Sequence, residues 1–177
     1  MITGRGRFNL YLLVALLALA AGGCQTHKND KNKQIATLRV HLEASPEDNG
    51  RTTTVPIYRA QPFEIQVQQD PFLTEVHVAA AHVVEALGGF ELQIQLNREG
   101  TWLLQQYSAT YRGKHFAVFS QFGDKVKDSR WLAAPQFNRL ISDGIIQFTP
   151  DASREEAEQI ALGLNNLAKK NEISQKW

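Results

Sequence analysis

Histidines are the first side chains to ask for chemistry, and the chain has five, at positions 27, 41, 77, 82 and 115. None stands at a ligand-like spacing from another His, Asp or Glu. His77 and His82 are five apart, which suits neither one face of a helix nor one face of a strand. Glu155, Glu156 and Glu158 look like paired carboxylates, but they fall in the first turns of a predicted helix, where negative charge complements the helix dipole. Ser108 and Ser120 have no base partner at a recognisable spacing, and no phosphate loop, nucleophile elbow or zinc-protease helix is visible. The expectation is a chain with no catalytic residues, no metal and no cofactor. One nucleophile remains: the thiol of Cys24, the single cysteine among 177 residues.

The residues before Cys24 give that thiol a use. A short basic start with Arg5 and Arg7 leads into fourteen nearly all-apolar residues, 10–23, the layout of a secretory signal peptide. As a helix this run reaches about 21 Å, short of the roughly 30 Å hydrocarbon core that a spanning segment must cross. It ends in Ala21, Gly22, Gly23 and Cys24, which resembles the lipobox of bacterial lipoproteins. Small residues there let an extended backbone enter a peptidase, and the thiol takes a diacylglycerol. Ala21 stands where that pattern most often has leucine. A free thiol or an intermolecular disulfide is the alternative for an unpaired cysteine in an exported chain.

Cleavage before Cys24 would leave 154 residues, a usual size for one domain. Loss of Arg5 and Arg7 leaves 17 basic against 18 acidic side chains. A formal charge of −1 offers nucleic acid no electrostatic footprint. Residues 24–34 carry no side chain that could pack and read as a flexible tether, holding the domain on the order of 17 Å from a bilayer.

From Ile35 the pattern becomes that of packed elements. Leu38, Val40 and Leu42 alternate with polar residues, as do Phe63, Ile65 and Val67; Val55 and Ile57 make a stretch between them. Residues 73–87 suit a helical turn followed by a strand. Phe90, Leu92, Ile94 and Leu96 give the cleanest alternation, which should pair back on the preceding strand as a hairpin. Asn97 offers a cap for a helix ending at Gly113. A strand at 115–122 precedes a long irregular segment, 123–143, and a short strand with Ile145, Ile146 and Phe148. Ser153 and Glu156 form a capping box for a helix with Ala157, Ile160, Ala161, Leu164 and Ala168 on one face. The fold class expected is α+β: a two-layer sandwich with a mostly antiparallel sheet and two main helices on one face.

Six pieces, in order and at matching spacing, resemble the periplasmic head subdomain of SecD, the membrane protein that assists export through the bacterial translocon. They are Leu73-Thr74-Glu75 with Ala81-His82-Val83-Val84; Leu96-Asn97-Arg98-Glu99-Gly100; Gly113-Lys114-His115-Phe116-Ala117-Val118; Ala134-Pro135; Ile141-Ser142-Asp143-Gly144; and residues 155–162. The resemblance implies a head-like domain over 73–170, with 35–72 as N-terminal strands packed on it. It also implies a role in binding or positioning, since that subdomain carries no known catalytic residues.

Between two strands, Trp131, Leu132 and Phe137 occupy a segment too long for a plain connection. Exposed, Trp131 and Phe137 would form an apolar patch for an extended partner chain; folded under, they would fill the core. The function expected is a lipid-anchored, non-catalytic envelope protein, facing the periplasm and with the outer membrane favoured. It would bind an exported polypeptide or another envelope protein. The alternative is a carrier with an apolar pocket for a small ligand.

Overall fold

The computed structural model describes residues 34–45, 50–123 and 126–174. Ala21, Gly22, Gly23, Cys24 and nearly all of the tether lie outside the described residues. The described residues form nine strands, a 3-10 turn and two helices. They are β1 (Thr37–Leu42), β2 (Thr52–Ile57), β3 (Phe63–Gln68), β4 (Leu73–Thr74), the turn Glu75–His77, β5 (Val78–Ala86), β6 (Gly89–Leu96), α1 (Arg98–Thr110), β7 (Phe116–Phe122), β8 (Asp128–Ala133), β9 (Ile145–Phe148) and α2 (Arg154–Ser174). The class is α+β, and every strand pair is antiparallel.

The strands divide over three sheets: β4-β1-β7-β8, the hairpin β2-β3, and β5-β6-β9. β1 sits inside the first, pairing with β4 on one side and β7 on the other. Leu38, Val40 and Leu42 are buried as their alternation requires. The hairpin β2-β3 touches that sheet through the bridge between Glu43 and Val67 and the hydrogen bond that Ala44 N donates to Gln66 O. Its inner face, Val55, Ile57, Ile65 and Val67, forms a small cluster with Ala117, Ala134 and Trp131, apart from the main core.

The main core joins the other two sheets to both helices. Asn97 caps α1, its side chain accepting from Gly100 N at 2.9 Å. Gly100 is needed there because a Cβ would come 2.8 Å from that of His77. Ser153 and Glu156 form the expected capping box: Glu156 N donates to Ser153 Oγ, and Ser153 N donates to Glu156 Oε2. Ala157, Ile160, Ala161, Leu164 and Ala168 are buried along α2. Gly163 lets that helix meet the start of β1, since a Cβ would overlap the Ala36 backbone nitrogen.

Residues 128–133 depart from expectation. They form β8 instead of an irregular segment, in register with β7 from Phe122↔Asp128 to Phe119↔Trp131 and then across a bulge. Asp128 and Ser129 are exposed, Arg130 and Trp131 half-buried, and only Leu132 and Ala133 fully buried, so no alternation marks it. After it the chain keeps pairing irregularly with the base of β7: Phe116 N donates to Pro135 O, and Phe137 N to Lys114 O. Phe137 is fully buried, stacked on Phe116 at 4.5 Å and close to Phe72, itself stacked on Tyr107. Ser108 Oγ ties the following segment to α1 by accepting from Ile141 N.

Replacing a fully buried aromatic costs about 3–5 kcal/mol. Phe137→Ala is therefore expected to lower the thermal midpoint steeply, as followed by circular dichroism. A shift no larger than that of the surface variant Trp102→Ala would contradict this packing.

Candidate functional site

Of the three side chains expected between the strands, the structure brings only Trp131 to the surface. Leu132 and Phe137 have no exposed area and have nothing to offer a partner; β8 and the aromatic cluster draw them into the core. Trp131 is half-buried, its ring 5.2 Å from His41 in an edge-on arrangement and 5.1 Å from Phe119. Trp102 is well exposed on α1.

Trp131 lines a surface cleft of about 280 Å³ between the β2-β3 hairpin and β8, together with Pro56, Tyr58, Arg59, Pro62, Ser129, Arg130 and Asp151. Two local features build its rim. Tyr58, directly after β2, has φ of 60°, a left-handed conformation costing roughly 1–2 kcal/mol in a non-glycine residue. Its ring lies 6.0 Å from that of Phe63, and both are exposed. Across the cleft, Arg59 donates from its backbone N and from Nε to Asp151 Oδ2.

Arg130 forms the floor's electrostatic centre. Its guanidinium grips both oxygens of Glu156, at 3.0 and 2.9 Å, and donates to Asp151 O at 2.9 Å. The Arg130 hydrogen bonds hold the Glu156 carboxyl down at about 2. So low a value keeps the carboxylate ionised near neutral pH, paired with Arg130. Glu156 is the capping residue that its spacing from Ser153 indicates. Its pairing with Arg130 carries no local signal, because the partners are 26 positions apart.

Other candidates have structural duties. Ser108 Oγ donates to Gln105 O and Ser120 Oγ to Thr37 O. His77 Nδ1 accepts from Thr74 N. His41 Nδ1 is 2.9 Å from Gln68 O, and burial pushes its pKa down. His115 meets Glu43 at 2.9 Å; burial pushes that carboxyl up, and hydrogen bonds from His115 more than offset it. Among the described residues no group of three or more His, Cys, Asp and Glu is placed to hold a metal ion.

A second surface cleft, of about 320 Å³, runs along β9 opposite residues 135–141. The Trp131 cleft contains none of the Phe, Leu or Ile side chains of an apolar carrier pocket.

Residues 52–168 match the family described as SecDF, P1 head subdomain. The match begins at β2, where the resemblance read from sequence begins at Leu73. A solved structure of SecDF, a membrane component that enhances protein export, aligns with a TM-score of 0.53 at 20% identity, over 82% of this chain and 70% of that one. SecDF in its super-membrane-facing form aligns with a TM-score of 0.54, also at 20% identity, over 81% of this chain. This chain spans 21% of that protein's length. At such identity the likeness to the solved structures is one of fold. No curated protein matches the chain.

The Glu156 pKa of about 2 lies below its ordinary 4.5, so the pair stabilises the fold fully above about pH 4.5 and loses that contribution as pH falls through about 2. With 29% of the Glu156 side chain exposed, screening leaves on the order of 1–2 kcal/mol. Glu156→Gln should cost that much in urea unfolding at neutral pH and flatten the decline of stability between about pH 5 and pH 2. A variant whose stability falls with pH as steeply as the parent would remove the pair from the account.

Proposed function

This chain belongs to the SecDF P1 head subdomain family, and from that premise we propose that it is a non-catalytic, lipid-anchored accessory of protein export that binds extended polypeptide. The family match over residues 52–168 carries the reading. The anchor is lipid on Cys24, with Ala21, Gly22 and Gly23 as the region where the signal peptide is cut just before it, and the domain works at the cell envelope on the periplasmic side, with the outer membrane favoured. Among the described residues no helix is long and apolar enough to cross a membrane, so on this reading acyl chains supply the attachment.

Contact with the partner falls to the Trp131 cleft. Aromatic faces at Trp131 and Tyr58, with Phe63 outside the cleft beside Tyr58, give sequence-tolerant area at low entropic cost. Arg59 and Arg130, already neutralised by Asp151 and Glu156, add no net charge that would exclude one kind of chain.

A photoreactive residue at position 58 or 131 is expected to crosslink to exported polypeptides in cells, with yields that rise when export is slowed. Equal yields from position 102, away from the cleft, would count against a specific surface. Cys24→Ala should abolish palmitate labelling and release the chain from the membrane fraction. Labelling that persists in that variant would overturn the anchor.

A further inference from the structure

An exposed strand edge is a template for another strand, and folded proteins close most of theirs. Two of the outer edges here are closed by the chain itself. On β5, the Asn165 side chain of α2 accepts from Ala81 N and donates to Ala81 O, both at 2.8 Å, standing in for a neighbouring strand. On β8, Asp151 N donates to Leu132 O.

The outer edge of β9 is different. Its register against β6 is unbroken, from Gln95↔Ile145 to Leu92↔Phe148. Leu96 N donates to Gly144 O, which makes that opposed pair a hydrogen-bonded one. Alternation in an antiparallel ladder then turns the main-chain groups of Ile146 and Phe148 toward β6, and those of Ile145 and Gln147 away from it. A separate observation agrees: Ile145 N donates to the carboxylate of Asp143, two residues back, and not to β6. The outward groups still available are Ile145 C=O and both main-chain groups of Gln147, and they open on the second cleft.

The cleft lies along this edge. Its opposite wall is the extended segment carrying Pro135 and Gln136, already paired to the base of β7. Pro135 and Ile141 line the cleft with apolar surface, and Gln93 and Gln147, hydrogen-bonded to each other, line it with amides. Arg139 and Asp143 at its end neutralise each other.

We infer that the β9 edge takes an extended polypeptide as an added strand, through main-chain hydrogen bonds to Ile145 and Gln147. This rests on the polypeptide-binding reading above and adds a second site to it, one that reads backbone. Recognition by main-chain groups tolerates many sequences, because every non-proline residue presents the same donor and acceptor. Alternate side chains of the guest meet the apolar wall and the amides in turn.

The test uses the full chain in detergent micelles and a synthetic peptide of roughly ten residues alternating valine and threonine. A second version of the peptide is N-methylated at every other residue. The parent peptide is expected to slow hydrogen exchange at the Gln147 amide roughly tenfold or more, and to leave the β5 amides unchanged. Gln147→Pro removes an outward donor without touching the ladder to β6, and should weaken binding about tenfold. Gln147→Ala, which keeps the donor, should bind like the parent. The N-methylated peptide, lacking one edge of donors, should not bind.

A peptide that binds while exchange at Gln147 stays fast would overturn the β9 site and leave polypeptide binding intact. Failure of the parent chain to bind any peptide would remove both readings. Slow exchange at Gln147 without peptide, relieved on dilution, would make a second copy of the chain the occupant and overturn the proposal. If Gln147→Pro does not fold, the exchange and N-methylation measurements on the parent chain decide alone.

Discussion

β1 is the element on which the other parts converge. It pairs with β4 and β7, its start lies against Gly163 of α2, and Leu38 N donates to the Glu75 carboxylate in the 3-10 turn. At its far end, His41 reaches Gln68 of the hairpin and Glu43 bridges to both Val67 and His115. Its three apolar side chains are almost without exposure, each contributing roughly 1.5–3 kcal/mol by burial. The family match begins ten residues beyond its end, at β2. The strand that ties the domain together therefore lies outside the part matched, and the resemblance read from sequence, which begins at Leu73, leaves it out as well.

Much of this architecture is legible in the residues wherever one face is buried and the other wet. Phe90 to Leu96 alternate, and β6 is where they say. Asn97 with Gly100, and Ser153 with Glu156, mark helix starts through local hydrogen bonds, which sequence spacing can express. β8 is opaque for the opposite reason. Its exposure falls steadily along the strand, from exposed Asp128 and Ser129 through half-buried Arg130 and Trp131 to buried Leu132 and Ala133, so neither period appears. The division into three sheets is equally hidden, because it depends on which edges meet, and alternation carries no information about neighbours.

The candidate site shows the same boundary between local and distant. Trp131 stands out by type in an otherwise polar stretch, and it does line a cleft. Leu132 and Phe137, singled out with it, are core. What gives the cleft its character, the Arg130–Glu156 pair and the Arg59–Asp151 pair, joins residues 26 and 92 positions apart. No spacing rule reaches that far. The β9 edge is invisible for a further reason: an unmade hydrogen bond leaves no trace in composition, and it emerges only once Asn165 and Asp151 are seen closing the edges of β5 and β8.

The pairing of β1 with β7 also sets a timetable. Thr37 lies opposite Gln121, so β1 cannot take its place until more than eighty further residues have been delivered. The hairpins β2-β3 and β5-β6 need only their own neighbours and can close early. Non-local pairing of this kind is slow because a long loop must be ordered before any contact rewards it. The strand that emerges first is thus among the last to lock. Until it does, the apolar side chains of β7 lack the cover of Leu38 and Val40.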